Sequence, residues 1–202
     1  MPYCPICENY SERFLPKNGR EGVVCPYCGS FERHRHQWLV YKIERLDLQI
    51  WGKKILHCSP STCLKDKLSR VCEYYSIDKF KINVGIRADL CYLPFRDKFF
   101  DFIWCSHVLE HIEDVTKALK EIKRVLKSNS IVLLDVPIYG KTTQKFTEPK
   151  EFGHYWAPGL NDWFDFYTNA GFEIKKYSVN LFNKTKYGLN NRGPVVLAKL
   201  KE

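Results

Sequence analysis

The sequence has no long apolar run and no recognisable targeting segment. Nowhere in its 202 residues do about 18 uncharged apolar residues follow one another, the length that a membrane-spanning helix needs. The first residues, MPYCPIC, lack the basic flank and apolar core of a secretory signal. We therefore expect a soluble, cytoplasmic protein without a membrane partner.

The sequence also lacks a concentrated block of basic residues, although its net charge is +9. The excess of Lys and Arg over Asp and Glu is one in residues 1–50, five in 51–130 and three in 131–202. A nucleic-acid-binding tail would gather this charge into one stretch. The diffuse excess fits general solubility better, so RNA is an open alternative but not the favoured partner.

Glycine is missing from one turn where nucleotide-binding α/β domains ordinarily have it. The stretch KILHCSPSTCL, residues 53–63, has the pattern of a buried strand that enters a turn and then a helix. Ser59, Pro60 and Ser61 occupy that turn. Two interpretations stay open: the turn binds a cofactor by other means, or the chain keeps a fold whose chemistry is lost.

The sequence does contain nine cysteines, and 45% of its residues are apolar. Such a chain can bury one main core and carry a small appendage. An odd number of cysteines leaves one thiol over in a complete disulfide framework, and no signal peptide points to an oxidising compartment. Metal ligation by some of the cysteines is the better prediction.

Two C-x2-C pairs near the N-terminus predict a structural zinc site. Cys4 and Cys7 form the first pair, Cys25 and Cys28 form the second, and seventeen residues lie between the pairs. Each pair can form a knuckle whose sulfurs face one ion, and Gly29 suits the tight turn after the second pair. Four thiolates leave no place for an activated water, so the zinc is expected to be structural. It supplies stability that about 30 residues cannot gain from burial alone.

Residues 1–32 form the predicted zinc module, and residues 33–52 form a connecting helix. The helical pattern runs roughly over 33–48 and is expected to pack the module against a larger domain. Its first residues, Arg33 to His36, are predicted to be a solvated helix start, with contact to an anionic substrate as the alternative. The apolar face expected to make the packing contact contains Leu39, Val40, Ile43 and Leu46.

From residue 53 onward, short apolar runs alternate with helical patterns, which predicts βα units around a mostly parallel sheet. Helices are expected over 115–127 and 160–170, the second ending at Gly171. Five residues between the second and third strands are too few for a crossover helix, so a loop or a wrong strand assignment is expected there. The last two strands are predicted to pair antiparallel at one edge through residues 190–194. The predicted strands are 55–58, 71–76, 82–86, 100–104, 131–136, 174–181 and 195–200.

Four fragments occur in the order typical of class I S-adenosylmethionine-dependent methyltransferases. They are DLCYLPF at 89–95, FFDFIWCSHVLEHI at 99–112, KALKEIKRVLKSNSIVLLDVPI at 117–138 and NAGFEI at 169–174. Over residues 53–202 the chain resembles this family, in particular its type 11 methyltransferases. The resemblance implies a Rossmann-like sheet of seven strands, preceded here by the small zinc ribbon, and S-adenosylmethionine as cofactor.

The resemblance also implies roles for individual residues. Asp78 matches the acidic residue that holds the ribose hydroxyls, and Asp89 matches the acidic group beside the adenine amine. Leu90 would add a backbone contact to the base. Ser106 and His107 follow the fourth strand and would face the methionine portion and the methyl acceptor.

At the glycine-free turn the chain departs from the broad family. His57 stands where the family has an acidic residue, and Ser59 and Ser61 stand where it has glycines. The resemblance nevertheless implies that His57, Ser59, Pro60 and Ser61 contact the cofactor, because Ser is small and Pro60 can set a turn without a left-handed residue.

A competing motif lies inside the resemblance. His107, Glu110 and His111 match H-x-x-E-H, a zinc metallopeptidase signature in which two histidines bind the ion and Glu acts as the base. The motif follows directly on a predicted strand, so only part of it would be helical. A structural role for Glu110 and His111 is therefore the favoured interpretation.

Methyl transfer to oxygen or nitrogen benefits from a general base, and a neutral histidine suits that task. His107 and His154 are the predicted catalytic residues; His154 lies in a segment expected to cover the acceptor. Three functions stay open for the chain: O- or N-methylation of a small molecule or saccharide, which is favoured; RNA methylation, because a four-cysteine module also precedes the domain in ribosomal-RNA guanine methyltransferases; or an inactive scaffold. The sequence does not predict the oligomeric state.

Overall fold

The computed structural model describes residues 1–190 and 193–201. Residues 191, 192 and 202 lie outside the described part, and with them the middle of the predicted 190–194 connection.

The chain begins with two short hairpins. Strand β1 (Tyr3–Cys4) pairs antiparallel with β2 (Asn9–Tyr10), and β3 (Leu15–Lys17) pairs antiparallel with β4 (Arg20–Val24). These hairpins carry the four-cysteine cluster of the zinc module.

The connecting helix is divided in two. Helix α1 spans Glu32–Ile43 and α2 spans Leu46–Gln49. Arg45 separates them because its φ of 52° is left-handed and cannot continue an α-helix. The single helix predicted over 33–48 is therefore wrong at this residue.

The buried surface of α1 differs from the predicted apolar stripe. Val40 is fully buried, but Ile43 is 52% exposed. The polar residues at the start of the helix, His34, Arg35 and His36, are buried. The predicted solvated start is therefore wrong: α1 lies between the zinc module and the main sheet, and the buried side chains of Arg35 and Gln37 are hydrogen-bonded there.

The central sheet has seven strands in the order β12-β13-β9-β8-β5-β6-β7. All neighbouring pairs are parallel except those that β13 makes with β9 and β12, so the predicted antiparallel edge pair is confirmed. A separate two-stranded pair, β10 with β11, lies in the connection after β9. The strands are β5 (Lys54–Cys58), β6 (Glu73–Asp78), β7 (Ile86–Arg87), β8 (Phe100–Ser106), β9 (Leu126–Asp135), β10 (Gln144–Lys145), β11 (Trp156–Ala157), β12 (Phe172–Tyr177) and β13 (Val195–Leu200).

Two strand predictions need correction. The third strand is only Ile86–Arg87, because residues 79–85 form a loop that replaces a crossover helix. The strand predicted over 174–181 ends at Tyr177, and a 3-10 helix begins at Val179. The remaining helices are α3 (Thr62–Leu68), α4 (Val115–Val125), α5 (Asp165–Asn169) and α6 (Lys184–Tyr187), with 3-10 helices at Leu109–His111, Glu151–Gly153 and Val179–Leu181.

The two faces of the sheet bury two separate cores. On one face, α4 and the segment around α5 pack on alternate residues of β5, β8 and β9, such as Leu56, Ile103 and Val132. On the other face, α1 and α3 share a core with the zinc module and with the intervening residues of the same strands, such as Ile55 and Trp104. This period-2 division is the signature of a three-layer α/β fold. None of the described helices has both the length and the apolar character to span a bilayer.

Candidate functional site

The four predicted zinc ligands lie together at the hairpin ends. Sγ of Cys4 is 3.6 Å from Sγ of Cys28, and Sγ of Cys7 is 3.7 Å from Sγ of Cys25. Zn–S bonds of about 2.3 Å in a tetrahedron place sulfurs about 3.8 Å apart, so this donor set fits zinc. The hydroxyl of Ser30 is 3.3 Å from the Cys4 sulfur and 3.2 Å from the Cys28 sulfur, within reach of both thiolates.

The zinc module is fixed to the rest of the chain by one buried arginine on α1. Arg35 donates to the backbone carbonyls of Val23 and Ser30 in the module. It also donates to Tyr187 (2.7 Å) and Gly188 (2.8 Å), which follow β12 in the chain. The module and α1 are thus held against the main domain at several points.

The glycine-free turn uses a left-handed residue after all. Ser59 has a φ of 49°, a conformation that glycine adopts at lower cost. The prediction that Pro60 would set the turn without a left-handed residue is therefore wrong. The backbone amide of Ser59 donates to Ile77 on the neighbouring strand at 2.8 Å, and this bond holds the corner open beside β6. Ser61 directly precedes α3 in an extended conformation.

A pocket of about 260 Å³ opens at this corner, at the carboxyl ends of β5 and β8. Open α/β sheets bind their ligands at this edge. Helix α1 contributes to it from the opposite side, which the sequence pattern did not indicate. The pocket is lined by Phe31, Arg33, His34, Gln37, His57, Ser59, Pro60, Ser61, Leu64, Lys81, Trp104, Ser106 and His107.

His57 is a neutral wall of this pocket. It is 2% exposed, and its Nδ1 lies 2.9 Å from the hydroxyl of Tyr74. Burial lowers the pKa of His57 to about 3. The position that is acidic in the broad family therefore carries an uncharged ring at neutral pH.

Asp78 ends β6 next to the corner, as the prediction required. Its Oδ1 accepts from the backbone amides of Phe80 (2.8 Å) and Lys81 (2.9 Å). The ammonium of Lys81 lies 3.5 Å from Oδ2 of Asp78 and donates to the hydroxyl of Ser59 at 2.9 Å. Burial raises the pKa of Asp78, but these bonds outweigh it and leave the pKa below its ordinary value. Lys81 thus bridges the two groups that were predicted to hold the ribose and the amino-acid end of a cofactor.

Asp89 and Leu90 lie beyond Asp78 and do not line the pocket. Oδ2 of Asp89 forms an ion pair with Lys79 at 2.9 Å, and its Oδ1 accepts from the amide of Cys91. The Leu90 side chain is buried in the core. The loop 79–85 therefore supplies one lysine to each predicted acidic residue; both ammonium groups are exposed, whereas the Asp78 side chain is only 9% exposed.

A buried hydrogen-bond network joins α1 to the ends of β8 and β9. The Gln37 amide donates to Oγ of Ser106 (2.6 Å) and to Oδ2 of Asp135 (2.8 Å), and its oxygen accepts from the Trp104 indole (3.2 Å). Burial raises the pKa of Asp135 to about 6, while the bonds from Gln37 and Ser106 lower it. Gln37 and Asp135 escaped the sequence analysis, although Asp135 ends the apolar run IVLLD.

Arg33 brings a positive charge to the pocket. Its guanidinium stacks over the Phe31 ring, 4.7 Å from the centroid. Within the described residues no carboxylate forms an ion pair with it, and burial lowers its pKa. This half-buried guanidinium is a candidate partner for an anionic ligand, because a carboxylate can accept two hydrogen bonds from its planar fork.

His107 lies at the floor of the pocket with a left-handed φ of 51°. Its Nδ1 is 3.4 Å from Oε1 of Glu110, and its Nε2 is 3.8 Å from Oδ2 of Asp135. Burial holds the pKa of His107 well below its usual range, and Arg33 lowers it further. The ring is therefore neutral at pH 7 and faces two buried carboxyl groups.

His154 lies outside the pocket, against His111. The centroids of the two rings are 4.5 Å apart and the ring planes meet at 79°. Burial and the neighbouring His111 lower the pKa of His154.

Oε1 of Glu110 lies 3.9 Å from Nε2 of His111. The ligand atoms of Glu110, His111 and His154 all lie within 4.8 Å of one another, whereas His107 is not part of this cluster. The arrangement that H-x-x-E-H has in peptidases is therefore not formed.

The structure brings six of the predicted site residues together around one pocket: His57, Ser59, Pro60, Ser61, Ser106 and His107. Asp78 is joined to them through Lys81. The strand order and the position of this pocket define the fold of class I methyltransferases, in which the cofactor edge is formed by the carboxyl ends of the parallel strands.

Comparison with known proteins agrees with this class. Residues 61–134 match the family described as "Methyltransferase domain". A segment of 61 residues is 43% identical to the uncharacterized protein MJ0638 of Methanocaldococcus jannaschii and covers 30% of this chain and 27% of that protein. A segment of 77 residues is 31% identical to the uncharacterized methyltransferase YcgJ of Bacillus subtilis and covers 35% and 30%, respectively. The chain thus matches less than a third of the length of either curated relative.

Solved structures show the same fold over most of the chain. The structure of YcgJ has a TM-score of 0.57 at 14% identity and covers 83% of this chain and 100% of that one. The [4+2]-cyclase SpnF has a TM-score of 0.54 at 18% identity and covers 73% of this chain and 61% of its own. At identities this low, the similarity shows that the fold is shared, and the reaction must be argued from the residues of the site.

Proposed function

We propose that the chain is an S-adenosylmethionine-dependent methyltransferase that methylates oxygen or nitrogen of a small-molecule or saccharide acceptor. The observation that carries the proposal is the pocket at the Ser59 corner, which combines a neutral floor with the unpaired guanidinium of Arg33. S-adenosylmethionine supplies a methyl group on a sulfonium, together with an amino-acid end, a ribose and an adenine. The pocket, together with Asp78 and Asp89 beside it, offers a complementary group to each of these parts.

The Ser59 corner and α1 would hold the amino-acid end. Arg33 has no carboxylate partner in the described part of the chain, and a carboxylate can accept two bonds from its planar fork. Ser59, Pro60 and Ser61 surround the same space. On this assignment, the charge on α1 supplies attraction that the broad family obtains from backbone amides at its glycine turn.

Asp78 would accept from the ribose hydroxyls and Asp89 would lie beside the adenine. Asp78 can do so once Lys81 leaves its present position between Asp78 and Ser59. Both lysine side chains of these ion pairs are more than half exposed, 54% for Lys81 and 58% for Lys79. The more exposed pair, Lys79–Asp89, contributes about 0–1 kcal/mol, so displacing it costs little. Leu90 would contribute a backbone contact.

His107 would position the acceptor or accept its proton. Its ring is neutral because burial lowers its pKa, and it lies between the pocket and the carboxyl groups of Glu110 and Asp135. Those carboxyl groups can orient the ring and stabilise a transient positive charge on it. His154 lies on the neighbouring segment 150–157 and is the second candidate base.

The zinc module supports the pocket in this proposal. Arg35 fixes α1 to the module and to the C-terminal segment, and Gln37 fixes α1 to the ends of β8 and β9. Structural zinc at Cys4, Cys7, Cys25 and Cys28 would therefore hold Arg33 in place. This role favours a small acceptor over RNA, for which the module would serve as a contact surface.

Calorimetry with S-adenosylhomocysteine, the demethylated product, tests the proposal on the zinc-loaded protein. We expect binding with one site per chain, and methyl transfer from labelled cofactor to a small-molecule fraction of a cell extract. An electrophoretic mobility shift with cellular RNA that weakens steeply with salt would favour the RNA alternative. The absence of any cofactor binding would leave the inactive scaffold.

A further inference from the structure

Behind the cofactor pocket, one buried carboxyl group accepts no hydrogen bond, although Nδ1 of His107 lies 3.4 Å from its Oε1. Glu110 is 1% exposed, and neither of its side-chain oxygens receives a hydrogen bond. Among the buried carboxyl groups in the described part of the chain, Glu110 is the one whose two side-chain oxygens both lack a hydrogen-bond donor. An isolated buried carboxylate is costly, so a cation is the expected counterpart.

Two imidazole rings lie where that cation would bind. Nε2 of His111 is 3.9 Å from Oε1 of Glu110, and the ring of His154 packs edge-on against His111. One ligand atom from each of the three residues lies within 4.8 Å of the other two. From these observations we infer that Glu110, His111 and His154 form a second metal site, which binds a borderline divalent cation such as Zn²⁺ or Co²⁺.

The backbone holds these three residues together without an ion. Tyr155 donates its amide to the carbonyl of Glu110 at 2.9 Å, and the Trp156 indole donates to the carbonyl of Ile112 at 2.8 Å. Both bonds join the segment that carries His154 to the turn that carries Glu110 and His111. The site is therefore assembled from two segments that are about 40 residues apart in sequence, and these backbone bonds hold the segments together around it.

The orientation of His111 suits a metal ligand. The Nδ1 edge of its ring faces Gly153, where an added Cβ would lie 3.8 Å away, and its Nε2 edge faces Glu110. Histidine ligands commonly hold one nitrogen against the backbone and present the other to the ion. Three protein ligands leave coordination positions for water or substrate, unlike the closed set of four cysteines.

The site adjoins the floor of the cofactor pocket. Oε1 of Glu110 lies 3.4 Å from Nδ1 of His107, which lines that pocket. If the proposed function holds, an acceptor hydroxyl could bind the ion through its oxygen and lose its proton to His107 or to water. The acceptor oxygen then forms a bond to the methyl carbon, while the carbon–sulfur bond breaks and its electron pair stays on sulfur. The products are a methyl ether, a neutral thioether and one proton.

Cobalt loading of the full-length chain tests the site. The reduced, metal-free protein is incubated with excess Co²⁺, desalted, and analysed by mass spectrometry for metal and by absorption spectroscopy. Thiolate-bound Co²⁺ gives strong charge-transfer bands that a site of nitrogen and oxygen ligands lacks, so the two sites are counted separately. We expect two ions per chain in the wild type, one of each kind.

Substitution of the ligands should remove one ion and spare the other. Glu110→Gln and His154→Asn are each expected to lower the count from two to one with the thiolate bands unchanged. His154 is partly exposed on a connecting segment, so its variant remains informative where the buried Glu110 variant folds poorly. Glu113→Gln removes the same charge from an exposed neighbour and should keep two ions.

One cobalt ion in the wild type, or two in both ligand variants, would overturn the second site. Binding of S-adenosylhomocysteine, measured on the same preparations, separates this outcome from the proposed function. A protein that binds the product but holds one ion loses only the metal site. A protein that holds two ions but binds no product keeps the metal site and loses the methyltransferase proposal.

Discussion

Replacing Arg33 by methionine should weaken cofactor binding through loss of a single charged contact. The guanidinium lines the pocket, stacks on Phe31 and forms no ion pair within the described residues. A hydrogen bond to a charged group contributes about 1.5–3 kcal/mol, which corresponds to a loss of about 10- to 150-fold in affinity. Methionine retains much of the apolar stem that packs against the ring, so the change removes mainly charge.

Calorimetry with two ligands separates the loss of this contact from general damage to the pocket. S-adenosylhomocysteine carries the amino-acid carboxylate, whereas 5′-methylthioadenosine lacks the whole amino-acid end but keeps the ribose and adenine. Arg33→Met should weaken the first ligand by the factor above and leave the second almost unchanged. Arg70→Met, which removes the same charge from an exposed position after α3, is the matched control and should alter neither affinity.

An equal loss for both ligands would refute the assignment, because it would indicate distortion of the pocket and not loss of a carboxylate partner. Unchanged affinity for S-adenosylhomocysteine would refute it as directly. The zinc content and the unfolding midpoint of the Arg33 variant, compared with wild type, establish that α1 remains in place. Salt provides a further check, since a partly buried contact of this kind should be screened less than a surface ion pair.

Four further predictions follow from the described contacts. Removal of zinc by a chelator should unfold the module and abolish binding of S-adenosylhomocysteine, which is measured by circular dichroism and calorimetry; retained binding would contradict the coupling through α1. Gln37→Leu should lower the free energy of unfolding in urea by about 2–4 kcal/mol, since it leaves the buried Trp104 indole without its acceptor and Asp135 without one of its two donors. Asp135→Asn should change the pH dependence of stability. Burial raises the folded pKa of Asp135 to about 6, so its stabilising contribution is complete below about pH 4 and is lost between about pH 4 and 6. Across that window the free energy of unfolding of the variant, measured in urea titrations, should rise by about 3 kcal/mol relative to that of wild type. Lys81→Met should leave S-adenosylhomocysteine affinity unchanged or raise it a few-fold, because the ammonium no longer has to leave Asp78 and Ser59; a large loss would mean that Lys81 itself holds the ligand.

The sequence predicted those features that depend on local spacing. The two C-x2-C pairs predicted the thiol cluster, and the alternation of apolar runs predicted the seven-stranded sheet with its antiparallel edge. The strand ends then placed Ser59, Ser106 and His107 at one edge, because the carboxyl ends of parallel strands meet there. These predictions required no knowledge of which distant residues come into contact.

The role of α1 could not be predicted in this way. Its polar residues resemble a solvated helix face, and their burial depends on partners far away in the chain. Arg35 bonds to Tyr187, 152 residues later, and Gln37 bonds to Asp135, 98 residues later. The left-handed Ser59 also escaped prediction, since serine pays a conformational cost there that only the surrounding structure can offset.

The glycine-free turn after β5 and the buried polar start of α1 explain each other. The turn after β5 has lost the glycines that let backbone amides approach a ligand, and His57 adds no charge because its ring is buried and neutral. Helix α1, which the zinc module holds over the same pocket, brings the charge of Arg33 and the bonds of Gln37. If the pocket depends on α1 in this way, restoring the turn with Ser59→Gly should relieve its strain without replacing Arg33, and the double variant with Arg33→Met should bind S-adenosylhomocysteine as weakly as Arg33→Met alone. Recovery of wild-type affinity in that double variant would show that the turn, and not the helix, determines recognition.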